Sequence, residues 1–216
     1  MKATDEYYTL SNPSVGEYKD RGSKFLSYAY PTISKEEIQL HLELLKEEHS
    51  KCGHICYGYA LGINRKEHRA NDDGEPSGTA GKPIYNRILS HDLTDTLIAV
   101  VRYWGGTKLG ATGLIKAYKT SAEEAILNNS VVSKYITDTF RLEFEYAIMG
   151  DLLNHLKKLN IEILNKELGT TASLIIGTRQ SKTIELITRL KARMLNISED
   201  RINEKSVVEG LSIIEQ

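Results

Sequence analysis

The sequence predicts a two-domain α+β protein, and three observations carry that expectation. A chain of 216 residues exceeds one average domain of ~100–150 residues and accommodates two. Short segments of alternating apolar side chains are interleaved with segments whose apolar residues recur at helical spacing. From about Tyr135 onward those segments run strand, helix, strand, strand, helix, strand, the order of a ferredoxin-like split βαβ domain. The expected domains are therefore 1–134 and 135–216.

In the first domain, Glu6–Leu10 and Lys24–Pro31 read as strands. Ser34 and Glu37 stand at capping-box spacing, so a helix starts there, with Ile38, Leu42 and Leu45 on one face and its end before Gly53. His54–Leu61 alternates and reads as a strand, Gly62–Gly78 as a long polar loop, and 83–90 as a short helix with Pro83 in its first turn. Asp95–Trp104 is apolar enough to be a strand buried on both faces. Gly105–Gly113 reads as a glycine-rich turn and Leu114–Leu127 as an amphipathic helix stopped by Asn128 and Asn129. In the second domain, Phe140, Leu142, Phe144 and Tyr146 alternate over a strand, and Asp151–Leu159 is helical. Ile161–Leu168 and Thr170–Gly177 form a hairpin around Gly169, Ser181–Leu195 is a long helix, and Val207–Ile213 is the last strand.

Apolar residues make up 40% of the chain and the net charge is −1. Residues 1–134 hold 17 Lys/Arg and 17 Asp/Glu, leaving 11 and 12 for the remainder. A domain that grips nucleic acid by bulk charge is usually strongly basic, so any contact with RNA has to come from a local patch, and sequence-specific DNA binding is not expected. Met1–Asp20 lacks an apolar signal region, and no run reaches the ~18–20 apolar residues that cross a bilayer. Two cysteines make no disulfide framework, which suits a reducing compartment. A cytoplasmic protein with no membrane partner is expected.

Two segments concentrate polar chemistry. In Asn71–Lys82, three carboxylates, three glycines and two hydroxyls crowd together. Gly78, Thr79 and Gly81 lie where successive amides can form an anion nest, with Lys82 as an adjacent cation. Read blandly, the same residues are a capped loop whose acids neutralise nearby bases. Arg102–Lys116 runs from the buried strand through Gly105 and Gly106 to a helix start, with Arg102, Lys108 and Lys116 as cations. Strand, glycine loop and helix N-terminus together suit a phosphate. Ala111 occupies the lysine position of a Walker A loop, so nucleotide hydrolysis is unsupported. The quartets Gly78–Gly81 and Gly110–Gly113 resemble the KH clamp only in their four-residue spacing. Tight packing of a strand-to-helix turn is the plain alternative.

Cys52, His54 and Cys56 alternate as a strand face would, but no second ligand cluster completes a zinc site. His54 alone remains a candidate for donor and acceptor roles. Asp72 and Asp73 offer oxygen ligands for a divalent metal, or a turn cap. No G-x-S-x-G elbow occurs, no catalytic motif is recognised, and no cofactor or metal is expected.

Asp73-Gly74-Glu75-Pro76, Gly78-Thr79-Ala80-Gly81 with Pro83-Ile84, and Val100-Val101-Arg102-Tyr103 leading into Gly105-Gly106-Thr107-Lys108-Leu109-Gly110 resemble the signature of the IMPACT/YigZ family. Gly113-Leu114, Ala117-Tyr118, Arg21-Gly22-Ser23-Lys24-Phe25 and His54 before Cys56-Tyr57-Gly58-Tyr59 extend the likeness over about residues 17–125. The resemblance implies a left-handed βαβ first domain like domain IV of elongation factor G, and a ferredoxin-like second domain like its domain V. It also implies a role in translational control, with RNA, the ribosome or a regulatory protein as partner. The chain departs from the family pattern at Trp104, where Phe is usual, at Ala111-Thr112, and at Lys116, where Arg is usual. Lysine keeps the charge but loses bidentate phosphate geometry.

The favoured expectation is a translation-associated regulator binding RNA or the ribosome. Arg102, Lys108, Lys116 and the amides of the glycine turn would meet phosphates, and Tyr103 or Trp104 would stack a base. A second is an enzyme or small phospho-ligand binder using Asp73, Glu75 and His54. A third is a protein-binding module.

Overall fold

The computed structural model describes residues 5–203 and 205–216. The chain divides into two compact units: Tyr7–Lys134, and Asp5 and Glu6 together with Tyr135–Gln216. Both are mixed α and β with antiparallel sheets.

The first unit contains β1 (Glu6–Leu10), β2 (Ser14–Asp20), β3 (Ser23–Pro31), α1 (Lys35–Glu48), β4 (His54–Leu61), β5 (Glu67–Asn71), α2 (Gly81–Ser90), β6 (Thr96–Tyr103), α3 (Gly110–Leu127) and β7 (Val131–Tyr135). Its main sheet has the order β2-β3-β6-β4-β5, and every neighbouring pair is antiparallel. β6 is central, and burial on both faces explains its nearly continuous apolar sequence. Leu97, Ala99 and Val101 pack against Ile38, Leu42 and Leu45 of α1. Ile98 and Val100 face the opposite way, toward Ile84 and Ile88 of α2 and Ala117, Tyr118 and Ala122 of α3. The sheet thus lies between α1 on one side and the α2/α3 pair on the other. β1 and β7 form a separate two-stranded ribbon.

The α1 start is capped as its spacing predicts: Ser34 Oγ accepts from the Glu37 amide at 3.2 Å. Glu37 reaches back to the Ile33 amide at 2.8 Å instead of that of Ser34. Three elements of this unit differ from the expectation. The segment taken as one loop contains β5, an edge strand of Glu67, His68, Arg69, Ala70 and Asn71 paired only with β4. Its polar composition hides it from a periodicity argument. β2 and β7 were likewise not expected; β2 is an edge strand and β7 belongs to the small ribbon. α3 begins at Gly110, four residues before the expected Leu114, so Gly110–Gly113 is its first turn.

The second unit contains β8 (Thr137–Phe144), α4 (Met149–Lys158), β9 (Glu162–Leu168), β10 (Ala172–Arg179), α5 (Thr183–Leu195) and β11 (Leu211–Glu215). Its sheet order is β11-β8-β10-β9, antiparallel throughout. Phe140, Leu142, Phe144, Leu174 and Ile176 meet Leu152, Leu156 and Leu190 from the helices in one core. β8 stops at Phe144, and Tyr146 lies in a 3₁₀ turn with its hydroxyl donating to the Gly169 carbonyl at 2.7 Å. The last strand begins at Leu211, because Gly210 with φ 73° turns the chain after Val208.

Candidate functional site

The register of the main sheet builds the site. Arg102 on β6 lies opposite Phe25 on β3 and opposite His54 on β4. Directly opposed residues share a face, so all three point toward α2 and α3. The Arg102 guanidinium sits over the Phe25 ring, 5.5 Å from its centroid. Tyr118, one helical turn after Leu114 on α3, meets the Phe25 ring edge-on at 5.1 Å.

The loop after β5 brings Glu75 into this layer. Arg102 Nη1 donates to Glu75 Oε1 at 2.5 Å, and the Tyr118 hydroxyl donates to the same oxygen at 2.8 Å. Glu75 and Arg102 are 8% and 7% exposed. A buried ion pair at this depth persists only where further hydrogen bonds satisfy its atoms. One buried atom of the pair falls short: Arg102 Nε has no partner among the described residues. Cys56 Sγ lies 3.0 Å from the Asp72 carbonyl oxygen and 3.4 Å from the Tyr118 hydroxyl. Burial pushes the Cys56 thiol and the Tyr118 phenol well above their usual ranges. Both stay protonated at neutral pH, so Cys56 is no thiolate nucleophile.

His54 completes the floor. Its Nδ1 stands 2.6 Å from the Asp73 carbonyl oxygen, which can only accept, so Nδ1 carries the proton. In the neutral ring Nε2 is then an acceptor, 4.0 Å from Glu75 Oε1. The Asp73 carboxylate is spent on the Ile55 amide at 2.7 Å. Asp73 therefore positions His54 through its carbonyl and ties one carboxylate oxygen to the backbone of β4.

Above this floor opens a cleft of about 480 Å³ lined by Gly53, His54, Glu75, Pro76, Arg102, Trp104, Lys108, Leu109, Gly110, Ala111 and Leu114. Trp104, 64% exposed, forms an aromatic wall, and exposed Lys108 lies at the rim. α3 starts here with Leu109 at its N-cap, no side-chain cap and no acid in its first turn. Its leading amides and the positive end of its dipole are free for an anion.

The other sequence candidates fall elsewhere. The amide nest is real but filled from within: Gly78, Ala80 and Gly81 all donate to the Asp72 carboxylate, at 2.8–3.0 Å. Burial raises the Asp72 carboxyl, yet these three donors outweigh it and hold it below its usual range. Asp72 is thus a cap and not half of a metal site. Thr79 is buried and bonds to the Pro76 carbonyl. Lys82 and Lys116 are exposed and do not line the cleft. Tyr103 points to the α1 face, where its hydroxyl meets His49 Nδ1 at 2.9 Å. Gly105 is a packing residue: a Cβ there would lie 1.8 Å from the Gly22 carbonyl carbon. Gly106, with φ 85°, turns the chain outside the cleft. Cys52 precedes β4 and packs toward α1, while Cys56 packs toward α3. Tyr118, Leu109 and Ala111 were not expected among the site-forming residues, whereas Asp72, expected as a metal ligand or a turn cap, is the cap. Only Tyr118 carried a signal, as an inward position on α3 in register with Leu114.

Comparison with known proteins places this cleft in a wider group. Residues 21–126, which include every cleft residue, match the family model described as the Impact N-terminal domain. The chain is 34% identical over 152 residues, 70% of each protein, to the IMPACT family member YvyE of Bacillus subtilis. The chain belongs to the IMPACT family. An IMPACT family member of Haemophilus influenzae is 29% identical over 205 residues, covering 90% of this chain and 99% of that one. A crystal structure of a hypothetical protein shares the fold of this IMPACT-family chain, with a TM-score of 0.69 over 97% of both chains at 23% identity.

Proposed function

We propose that this IMPACT-family protein is a translation-associated regulator that engages RNA or the ribosome through a phosphate-and-base site in the cleft. The observation that carries this reading is the uncapped start of α3, which opens between Lys108 and the exposed face of Trp104. Amide donors, helix dipole and one cation suit a phosphate; an exposed indole suits a stacked base. A net charge of −1 leaves local recognition as the source of affinity. The implied role of the family in translational control supports the biological setting. We read the second unit as ferredoxin-like, which the order β11-β8-β10-β9 supports, and the first as the left-handed βαβ type.

Co-sedimentation with ribosomes and with RNA over a salt series tests the reading. Binding at low salt that weakens as salt rises, and weakens further in Lys108→Ala, is expected. No binding at low salt overturns it, and binding indifferent to Lys108→Ala removes the cleft from it.

One observation favours a second reading, a small phospho-ligand enzyme. His54 Nε2 is held as an acceptor inside the cleft, next to Glu75, as a general base requires. Phosphate release from nucleotides that disappears in His54→Ala would select it. Capture of a specific protein, lost in loop variants and independent of RNA, would select a protein-binding module instead.

A further inference from the structure

The balanced charge of residues 1–134 conceals two layers of opposite sign. α1, on one side of the main sheet, holds five glutamates and two lysines. α2 and the first three turns of α3, on the other side, hold Lys82, Arg87, Lys116 and Lys119 and no acid. From Thr96 to Ala122 the chain contains no Asp or Glu. The first acid after that stretch, Glu123, is already engaged, by Arg87 at 3.5 Å and by His91 at 2.9 Å.

Helical spacing sets the cations of α3 in a line. Thr112, Lys116 and Lys119 follow at steps of four and three residues and so share one face. All three are exposed. Lys108, exposed at the rim of the cleft, stands just ahead of that face. Ile115, 42% exposed, lies between Thr112 and Lys119 on it. No ion pair among the described residues involves Lys108, Lys116 or Lys119. Such a stripe of unpaired cations along a helix is the electrostatic footprint of a nucleic-acid backbone.

Resting on the phosphate-and-base reading above, we propose that α3 is a track for the backbone of single-stranded RNA, leading away from the cleft. One base leaves the strand to lie on Trp104, which a base held in a duplex cannot do. The phosphates that follow pass Lys108, Thr112, Lys116 and Lys119, and Ile115 meets a ribose or base among them. At 1.5 Å per residue Thr112 and Lys119 are about 10 Å apart along the axis, which with the cleft matches roughly five nucleotides of a strand carrying one charge per ~3.4 Å. The acidic α1 layer turns the other side of the sheet away from RNA.

Fluorescein-labelled oligoribonucleotides of mixed sequence report binding to the full chain by anisotropy. Affinity is expected to climb from a dinucleotide to a pentanucleotide and to level off at a decanucleotide. Lys116→Ala and Lys119→Ala should each weaken the pentanucleotide about fivefold at ~0.1 M salt, and each lower the slope of log K against log salt by about 0.7. Lys46→Ala removes the same charge from the exposed face of α1 and should change neither. AMP, which fills the cleft alone, should quench Trp104, the only tryptophan in the chain, equally in the wild type and in the double variant Lys116→Ala/Lys119→Ala. An unchanged slope in that double variant overturns the track. So does a loss in Lys46→Ala as large as theirs, or a dinucleotide that binds as tightly as the pentanucleotide. The phosphate-and-base reading survives each of these results when AMP still quenches Trp104. If neither AMP nor any of the oligoribonucleotides binds, that reading falls and the track with it.

Discussion

Glu75 and Arg102 hold one another beneath the cleft, and neither can be changed alone without leaving a buried charge exposed to an apolar layer. Arg102→Met is expected to cost about 3–5 kcal/mol in urea unfolding, the usual loss when one partner of a buried pair is removed. Replacing both, as Glu75→Leu with Arg102→Met, should cost clearly less than the sum of the single changes. Asp72 makes a different kind of contribution. Its carboxyl is held below its usual range in the folded protein, so the stabilisation is present at neutral pH and is lost on acidification below about pH 4. Asp72→Ala removes the acceptor for three amides, with an expected loss of about 2–3 kcal/mol, and should flatten the acid side of the stability profile. From the sequence alone the density of glycine and acid around residue 75 marked the loop, and the amide nest was legible. That its anion is Asp72 was not, because six to nine residues of chain must fold back before carboxylate and amides meet.

The first turn of α3 shows how an element can escape a propensity argument. Glycine disfavours helix by ~1 kcal/mol relative to alanine, and Gly110 and Gly113 with no capping side chain read as a turn. Packing decides otherwise: Leu109 and Leu114 join the core shared with α2, and tertiary contacts outweigh local preference. The absence of a cap leads to an expectation of opposed effects. Ala111→Glu places a carboxylate in the first turn, which should stabilise α3 by about 0.3–1 kcal/mol. The same charge should weaken binding of RNA in the cleft, read by co-sedimentation alongside a thermal melt. Gly105→Ala is expected to lower the melting temperature, because its methyl would overlap the backbone at Gly22 and Ser23. β6 was the most legible element, since a strand covered on both faces must be apolar throughout. β2 and β5 were the least, since an edge strand of polar residues leaves no period to count.

At the scale of the whole molecule, the chain passes between its two units twice, after Glu6 and after Lys134. The second unit was readable in the order of its elements because its helices and strands bury one clean stripe each. The membership of Asp5 in that unit was not readable, as it depends on a partner 174 residues away. Asp5, 3% exposed, accepts from Arg179 Nε and Nη2 at 2.9 Å each and from the Ser181 amide at 2.9 Å. These bonds hold its carboxyl far below the usual range. The Arg179 guanidinium in turn lies 3.6 Å from the Tyr135 ring centroid. Arg179→Ala should lower the melting temperature at neutral pH, with the deficit shrinking on acidification as the orphaned Asp5 takes up a proton. The doubled passage also decides where the molecule can be divided. Excising residues 1–134 would carry Asp5 off and strand Arg179 in what remains, whereas a cut on both threads, at Tyr7 and at Lys134, would leave that acid with its base. Splitting this protein is therefore an operation on two strands of chain at once, and a shortened gene that respects only the later seam inherits a mismatched remnant at its beginning.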